Sequence, residues 1–306
     1  MVSPASSYTC NWCGMVSDGS SMSCPACGAT VNVKAIMTPT GWTAAPARKD
    51  MAKIQLGKSS VQIEGTYVPV ADFNLAAEDS VYFAHHVLLW KENTAIISIM
   101  PLKGGWKRLM AGMPLLMTQA KGPGHIAFSR DAPGELLSIP LQPGQAVDVR
   151  EHMFLVATNH VTYDWFNSDI WFDTPTYEDG KTRHEYHYPL GMTMDRFSAP
   201  NAPGLLILHA SGNVFVRELA PGESILIKPT ALIFKDPSVQ MMLHFEHPSS
   251  GGTGGGLFGL FTSFTLRYLW LRLTGPGRVA IQSAFEPVED TGANIASHSP
   301  ATEKRW

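Results

Sequence analysis

Charged side chains are scarce in this sequence of 306 residues: Asp, Glu, Lys and Arg together make up 16% of it, compared with about a quarter of an average globular protein. Because helix surfaces are usually rich in Glu and Lys, this scarcity argues against a mainly helical fold. The sequence instead contains 27 glycines and 22 prolines, and 44% of its residues are hydrophobic. This composition predicts a globular all-β protein with many turns and a sizeable core.

Basic clusters and long apolar runs are also missing. The net charge is −3 and Lys and Arg form no tract, which argues against nucleic acid as a partner because its phosphates must be neutralised. Residues 1–9 have neither the basic start nor the apolar core of a secretory signal. The longest apolar region, 257–271, is interrupted by polar residues and is shorter than the roughly 18 residues of a membrane span. We therefore expect a cytoplasmic protein, and the sequence leaves peripheral membrane contact open.

Cysteine does not occur after residue 27. The four cysteines form two C-x-x-C pairs, each followed by glycine: Cys10 with Cys13, and Cys24 with Cys27. Two thiolates three positions apart on a tight turn bind a metal ion from the same side, and two such turns complete a tetrahedron. Two disulfides, a redox pair, and iron in a rubredoxin-like site are the alternatives. The doubled pattern in a chain without a secretory signal favours one structural Zn²⁺.

The predicted zinc ribbon spans residues 1–34 and has only two charged residues, Asp18 and Lys34. A ribbon of this size cannot build a core, so the metal would supply its folding energy. With so little charge it is suited to protein docking or to stabilisation rather than to nucleic-acid binding.

Two kinds of segment occur three times each. The first begins with Leu, passes through a turn and continues as an alternating apolar strand; its copies lie at 75–91, 141–157 and 219–235. The second begins with a Pro-Gly turn; its copies are KGPGHIAFSR, NAPGLLILHA and TGPGRVAIQS, at 121–130, 201–210 and 274–283. Alternation with a period of two indicates strands with one buried face. We therefore predict a pseudo-threefold repeat of antiparallel sheets, arranged like a prism or sandwich.

These features predict four parts of the chain. They are a zinc ribbon at 1–34, a linker at 35–52, a threefold-repeat β domain at 53–289 and a flexible tail at 290–306. The linker contains the segment MTPTGWTAAPARKD, which is rich in Pro, Ala and Thr and has no periodicity.

A G-x-G-x-x-G pattern occurs at Gly254, Gly256 and Gly259. In a dinucleotide-binding fold this pattern joins a strand to a helix and is followed about 20 residues later by an acidic residue. Here no Asp or Glu occurs between Glu246 and Glu286, and the segment occupies the connection of the third repeat. We interpret these glycines as a turn at a sheet corner rather than as a phosphate site.

Three segments carry a resemblance to a known family: LMAGMPLLMTQAKGPGHIAFS, LAPGESILIKPTALIF, and the pair GGGLFG and RLTGPGRVAIQS within 254–283. They resemble the altered-inheritance-of-mitochondria protein family, over residues 53–288. The resemblance implies pseudo-threefold β-sheets, a superfamily relation to the tryptophan RNA-binding attenuation protein, and assembly into oligomers. It supplies no catalytic residues. The second copy lacks the glycine-rich motif, and the zinc ribbon is an addition that only some members have.

Catalytic patterns are absent from the sequence. Histidines are paired as His85/His86, His184/His187 and His244/His247, whereas two metal ligands on one face of a strand require a spacing of two. No G-x-S-x-G elbow occurs. We therefore interpret the histidines as structural or exposed residues.

Aromatic residues crowd into the segment from Tyr163 to Tyr188, interspersed with acids. Such a segment offers large contact area at low entropic cost, so it can bind a protein partner, or it can pack at a strand edge inside an oligomer. The segment LFGLF presents the same choice. The candidate partner-binding residues are Trp165, Phe166, Trp171, Phe172, Leu257, Phe258 and Phe261.

The sequence favours a non-enzymatic, homo-oligomeric β scaffold that carries a zinc ribbon for docking or stability and binds a protein partner. The alternative is a ligand-binding or enzymatic β domain whose pocket lies between repeats or subunits. RNA binding by analogy with the attenuation protein is a third hypothesis, which the charge balance weakens.

Overall fold

The computed structural model describes residues 7–10, 14–18, 24–26, 40–44, 52–101, 116–246, 268–286, 297–298 and 302–304. Within these ranges the chain forms β-strands and two single-turn 3-10 helices, His85–Val87 and Pro229–Ala231, and no α-helix. This confirms the all-β fold. The strands are β1 (Ser7–Thr9), β2 (Val16–Asp18), β3 (Thr43–Ala44), β4 (Ala52–Leu56), β5 (Ser59–Glu64), β6 (Val70–Leu75), β7 (Ser80–Phe83), β8 (Leu88–Lys91), β9 (Ile96–Pro101), β10 (Leu116–Lys121), β11 (Gly124–Phe128), β12 (Glu135–Leu141), β13 (Ala146–Arg150), β14 (Phe154–Thr158), β15 (Thr162–Asn167), β16 (Phe172–Glu178), β17 (Lys181–His187), β18 (Thr193–Ser198), β19 (Gly204–Ala210), β20 (Val214–Leu219), β21 (Ser224–Ile227), β22 (Leu232–Lys235), β23 (Gln240–Glu246), β24 (Tyr268–Thr274), β25 (Gly277–Gln282), β26 (Ser297–His298) and β27 (Thr302–Lys304).

The chain divides into two compact units. Unit 1 comprises 1–146, 152–163 and 197–216, and unit 2 comprises 147–151, 164–196 and 217–306.

The larger antiparallel sheets of unit 1 have the strand orders β4-β5-β6-β11-β8 and β12-β19-β14-β7-β10-β9. Buried side chains of both sheets form one hydrophobic cluster, so the sheets pack face to face as a sandwich. The cluster consists of Ile54, Val61, Ile63, Ala71, Phe73, Leu75, Val81, Phe83, Val87, Ala120, Ile126, Phe128, Leu136, Leu155, Val156, Leu205 and Ile207.

Alternation along the strands decides which side chains enter this core. In β6, Ala71, Phe73 and Leu75 are buried, while the intervening Asp72 and Asn74 point to the other face. Burying a side chain such as phenylalanine or leucine contributes about 1.5–3 kcal/mol, so this pattern fixes the register of the sheet.

Unit 2 contains the small sheet β17-β16-β26 and the sheet β21-β24-β23-β27. It also contains β22, β25 and the larger part of β13, which adjoin one another in the strand order β13-β22-β25. Strand β27 runs parallel to β23, and β26 pairs with β16 through Ser297 and Asp173. Both β26 and β27 lie in the predicted tail, 290–306.

Each predicted Pro-Gly segment leads into a strand, which confirms this part of the sequence pattern. The strands β11, β19 and β25 begin at Gly124, Gly204 and Gly277. Each pairs with a strand that contains a one-residue shift of register, namely β8, β14 and β22. The extra residue at each shift, which the pairing register skips, is Leu89, Leu155 or Ile233.

Candidate functional site

The N-terminal hairpin positions the first cysteine pair. Strands β1 and β2 are antiparallel, and between them the Gly14 N–H donates to the Cys10 carbonyl and the Cys10 N–H to the Met15 carbonyl, both at 2.8 Å. Gly14 has a φ of +71°, which explains the glycine after the C-x-x-C pair. Cys10 and Cys24 are buried. Their predicted co-ligands Cys13 and Cys27 lie outside the described residues, so the zinc site stays a prediction.

The predicted aromatic residues have different environments in the structure. Trp165 and Phe166 are half-buried on β15, and the Arg196 guanidinium lies 4.8 Å from the centre of the Phe166 ring. Trp171 is half-buried, with its ring centre 5.7 Å from that of Tyr186.

Phe172, by contrast, is 3% exposed. Its ring stacks on His187 at 4.8 Å and meets Phe245 edge to face at 5.9 Å, so it packs inside unit 2 rather than at the surface. Leu257, Phe258 and Phe261 lie outside the described residues.

The hairpin formed by β16 and β17 presents the exposed part of the aromatic segment. Its β17 is the outermost strand of its sheet among the described residues, and residues 181–186 are all exposed. Tyr177 and Tyr186 are 77% and 56% exposed. The sequence pattern located this segment, but it pointed to the tryptophans rather than to these tyrosines.

A second exposed surface lies on unit 1, where the sequence gives no indication of one. Strand β9 is the last strand of its sheet in the described part of unit 1, and its Ile96 and Ile99 are 62% and 66% exposed. Leu89 and Trp90, on β8, are also exposed. The run IISIMP contains no charged residue, so it resembles a core strand and gives no sign of exposure.

The histidines of β17 make separate contacts. His184 Nδ1 lies 2.5 Å from Asp173 Oδ2, and His187 Nε2 lies 2.8 Å from Thr174 Oγ1. Hydrogen bonds from Ser297, together with that of His184, hold the pKa of Asp173 below its usual value. No three His, Cys, Asp or Glu of the described ranges are grouped so that they could hold a metal ion.

Unit 2 also contains an ionic group in which Asp148 and Lys235 are buried and Arg196 is partly exposed. Asp148 accepts hydrogen bonds from Arg196 Nε at 2.6 Å, from Arg196 Nη2 at 3.0 Å and from Lys235 Nζ at 2.9 Å. Asp148 and Lys235 are partners across β13 and β22. Both carboxylate oxygens of Asp148 are bonded to these cations, so we interpret the group as structural.

One end of unit 1 contains an apolar pocket. It lies between β4–β6 of one sheet and β7, β12, β14 and β19 of the other, and its volume is about 470 Å³. Its residues are too far apart in the sequence to form a motif.

The fold and these sites define an all-β protein whose described surface offers strand edges, an exposed hairpin and an apolar pocket. The chain belongs to the mitochondrial biogenesis AIM24 family, whose family model matches residues 61–284. This match confirms the family resemblance seen in the sequence. The superfamily relation to the attenuation protein stays a prediction.

A solved structure supports the fold. The X-ray structure of a protein from Streptococcus pyogenes has 15% sequence identity and a TM-score of 0.50, and the match covers 74% of this chain and 94% of that one. No curated protein matches the chain. In the described part of the chain no helix is long and apolar enough to cross a membrane.

Proposed function

We propose that this protein is a non-enzymatic, homo-oligomeric β scaffold that holds other proteins through exposed strand edges. The observation that carries the proposal is the exposure of large apolar side chains on strands that are outermost among the described residues, above all Ile96 and Ile99 of β9. Such an edge offers unpaired N–H and C=O groups beside apolar contact area.

The composition of β9 supports this use. Proteins usually protect an exposed edge with lysine, proline within the strand or a bulge. Strand β9 has none of these before Pro101, and it pairs without interruption with β10. An uncharged edge of six residues suits pairing with a second copy of the chain.

The proposed threefold repeat also supports the pairing of β9 with a further strand, because the equivalent strand of another copy can be compared with it. The orders β7-β10-β9, β13-β18-β15 and β21-β24-β23 recur in three sheets, as copies of one unit would give. In this alignment Ala95 and Val239, both buried, are equivalent, and Ile99 corresponds to Leu243. Leu243 is fully buried, and β27 pairs alongside it. The same position on β9 is thus suited to accept a strand.

The exposed hairpin supplies a second contact surface, for a protein partner other than the chain itself. Tyr177 and Tyr186 combine an apolar ring with a hydroxyl, and such residues are enriched where binding energy is concentrated. The zinc ribbon, with Cys10, Cys13, Cys24 and Cys27 as ligands, would add a metal-stabilised module to the scaffold.

Light scattering on the full chain tests the assembly. We expect a particle larger than the 33.4 kDa chain at micromolar concentration. The double variant Ile96→Lys/Ile99→Lys should return it to the monomer, because lysine on an edge opposes strand pairing. The control is Tyr67→Lys, since Tyr67 is 84% exposed on unit 1; it should leave the assembly intact. A wild-type protein that is strictly monomeric would refute the proposal.

A further inference from the structure

The pocket at one end of unit 1 is a second kind of site, independent of the strand edges. Its volume of about 470 Å³ lies in the range of pockets that hold small molecules, about 300–1,000 Å³.

The interior of this pocket is apolar. Ile54, Phe73 and Leu75 of one sheet and Val81 and Leu205 of the other line it, and each is at most 3% exposed. These residues also belong to the hydrophobic cluster of unit 1. These five side chains are closed off from solvent and form the floor of the pocket. The apolar surface that a ligand can contact belongs to more exposed lining residues such as Leu56 and Pro203, and an alkyl chain matches this surface.

The mouth of the pocket carries charges of both signs. Lys58 Nζ lies 2.7 Å from Glu78 Oε1, and both side chains are largely exposed. Ser59 Oγ donates to Asp79 Oδ2 at 2.5 Å and accepts from the Ala76 N–H at 2.9 Å, which fixes the turn that carries the two acids. An exposed ion pair such as Lys58–Glu78 is weakly held, so its members can exchange partners with a ligand.

We propose that this pocket binds an amphiphile with a single alkyl chain and a zwitterionic head group. The alkyl chain lies in the pocket against the apolar lining. The cation of the head group pairs with Glu78 and Asp79, and its anion pairs with Lys58. A purely anionic head group would meet two carboxylates, and a purely cationic one would leave Lys58 without compensation.

Calorimetric titration of the full chain tests this proposal with three probes that share one alkyl chain: dodecylphosphocholine, dodecanoate and dodecyltrimethylammonium, each below its micelle concentration. We expect dodecylphosphocholine to bind most tightly. Leu56→Trp, which places an indole at the half-buried wall, should weaken it about tenfold by filling the space. Lys58→Glu should weaken it about fivefold by charge repulsion.

Lys181→Glu is the matched control, since Lys181 is exposed on unit 2, and it should leave the affinity unchanged. Lys58→Glu alters only an exposed side chain, so it keeps the test decisive even where Leu56→Trp disturbs folding. The proposal is overturned if the wild type does not bind dodecylphosphocholine, if Lys58→Glu binds it as the wild type does, or if either singly charged probe binds as tightly.

Discussion

Lys235 donates a hydrogen bond from Nζ to Asp148 Oδ2 at 2.9 Å, and both side chains are almost completely buried. Breaking a buried pair by removing one charge leaves the other uncompensated and costs about 3–5 kcal/mol. We expect Asp148→Asn to lower the free energy of unfolding by about this amount, measured by urea denaturation.

The reciprocal change Lys235→Met should cost clearly less. Asp148 keeps the two hydrogen bonds from Arg196, so its charge stays compensated. Equal losses in the two variants would show that the ion pair does not determine the stability here.

Gly275 lies where another chain segment leaves no room for a side chain. A Cβ atom at this position would lie 2.5 Å from the Ala220 carbonyl oxygen and 2.7 Å from that of Leu219. Gly275→Ala should therefore destabilise the protein by about 1–3 kcal/mol through overpacking, measured as a shift of the urea midpoint. The comparison is Gly180→Ala in the hairpin turn. There φ is +74°, and an added Cβ would have no atom within 4 Å apart from those of the glycine and its two chain neighbours. Only the backbone strain of about 1–2 kcal/mol therefore applies.

His209 couples stability to pH. It is buried and its Nε2 lies 3.0 Å from the Ala132 carbonyl oxygen; burial, with the nearby Arg130, lowers the pKa of His209. The unfolded chain therefore binds a proton that the native chain does not. Unfolding free energy should fall as the pH drops below about 6.5, with a slope of at most about 1.4 kcal/mol per pH unit.

The variant His209→Gln isolates this effect, because its amide can still donate to the Ala132 carbonyl. Denaturation curves between pH 7.5 and 5 should have a shallower pH dependence in the variant. Burial raises the pKa of the neighbouring Glu135, so this group increases the unfolding free energy as the pH falls. Its contribution is the same in the wild type and in the variant. Identical slopes would contradict the assignment to His209.

Metal analysis of the full chain tests the zinc ribbon. We expect about one Zn²⁺ per chain, because two C-x-x-C pairs complete one tetrahedral site. Cys10→Ser and Cys24→Ser should each abolish it. Disulfides in the protein purified under native conditions, found by mass spectrometry, would argue for the alternative chemistry, and a second bound metal would reopen the role of the histidines.

The sequence predicted strands more successfully than it predicted surfaces. Ala71, Phe73 and Leu75 alternate with polar residues, and this local pattern is enough to predict a half-buried strand. The strands that begin at Gly124, Gly204 and Gly277 follow equally local Pro-Gly signals. Phe172 lies beyond the reach of such local patterns: the sequence predicts it as a candidate partner-binding residue, but it packs on His187 and Phe245.

By itself the sequence determined the all-β class and the family, because period-two alternation and turn residues act over a few positions. Only the tertiary structure decided which apolar residues are exposed: Ile99 and Leu243 both lie in apolar strands, but in the described part of the chain a further strand, β27, lies only beside Leu243. It also assembled the pocket, which joins Ile54 to Leu205. Burial and cavities depend on contacts between distant segments, and those contacts exist only once the sheets have packed.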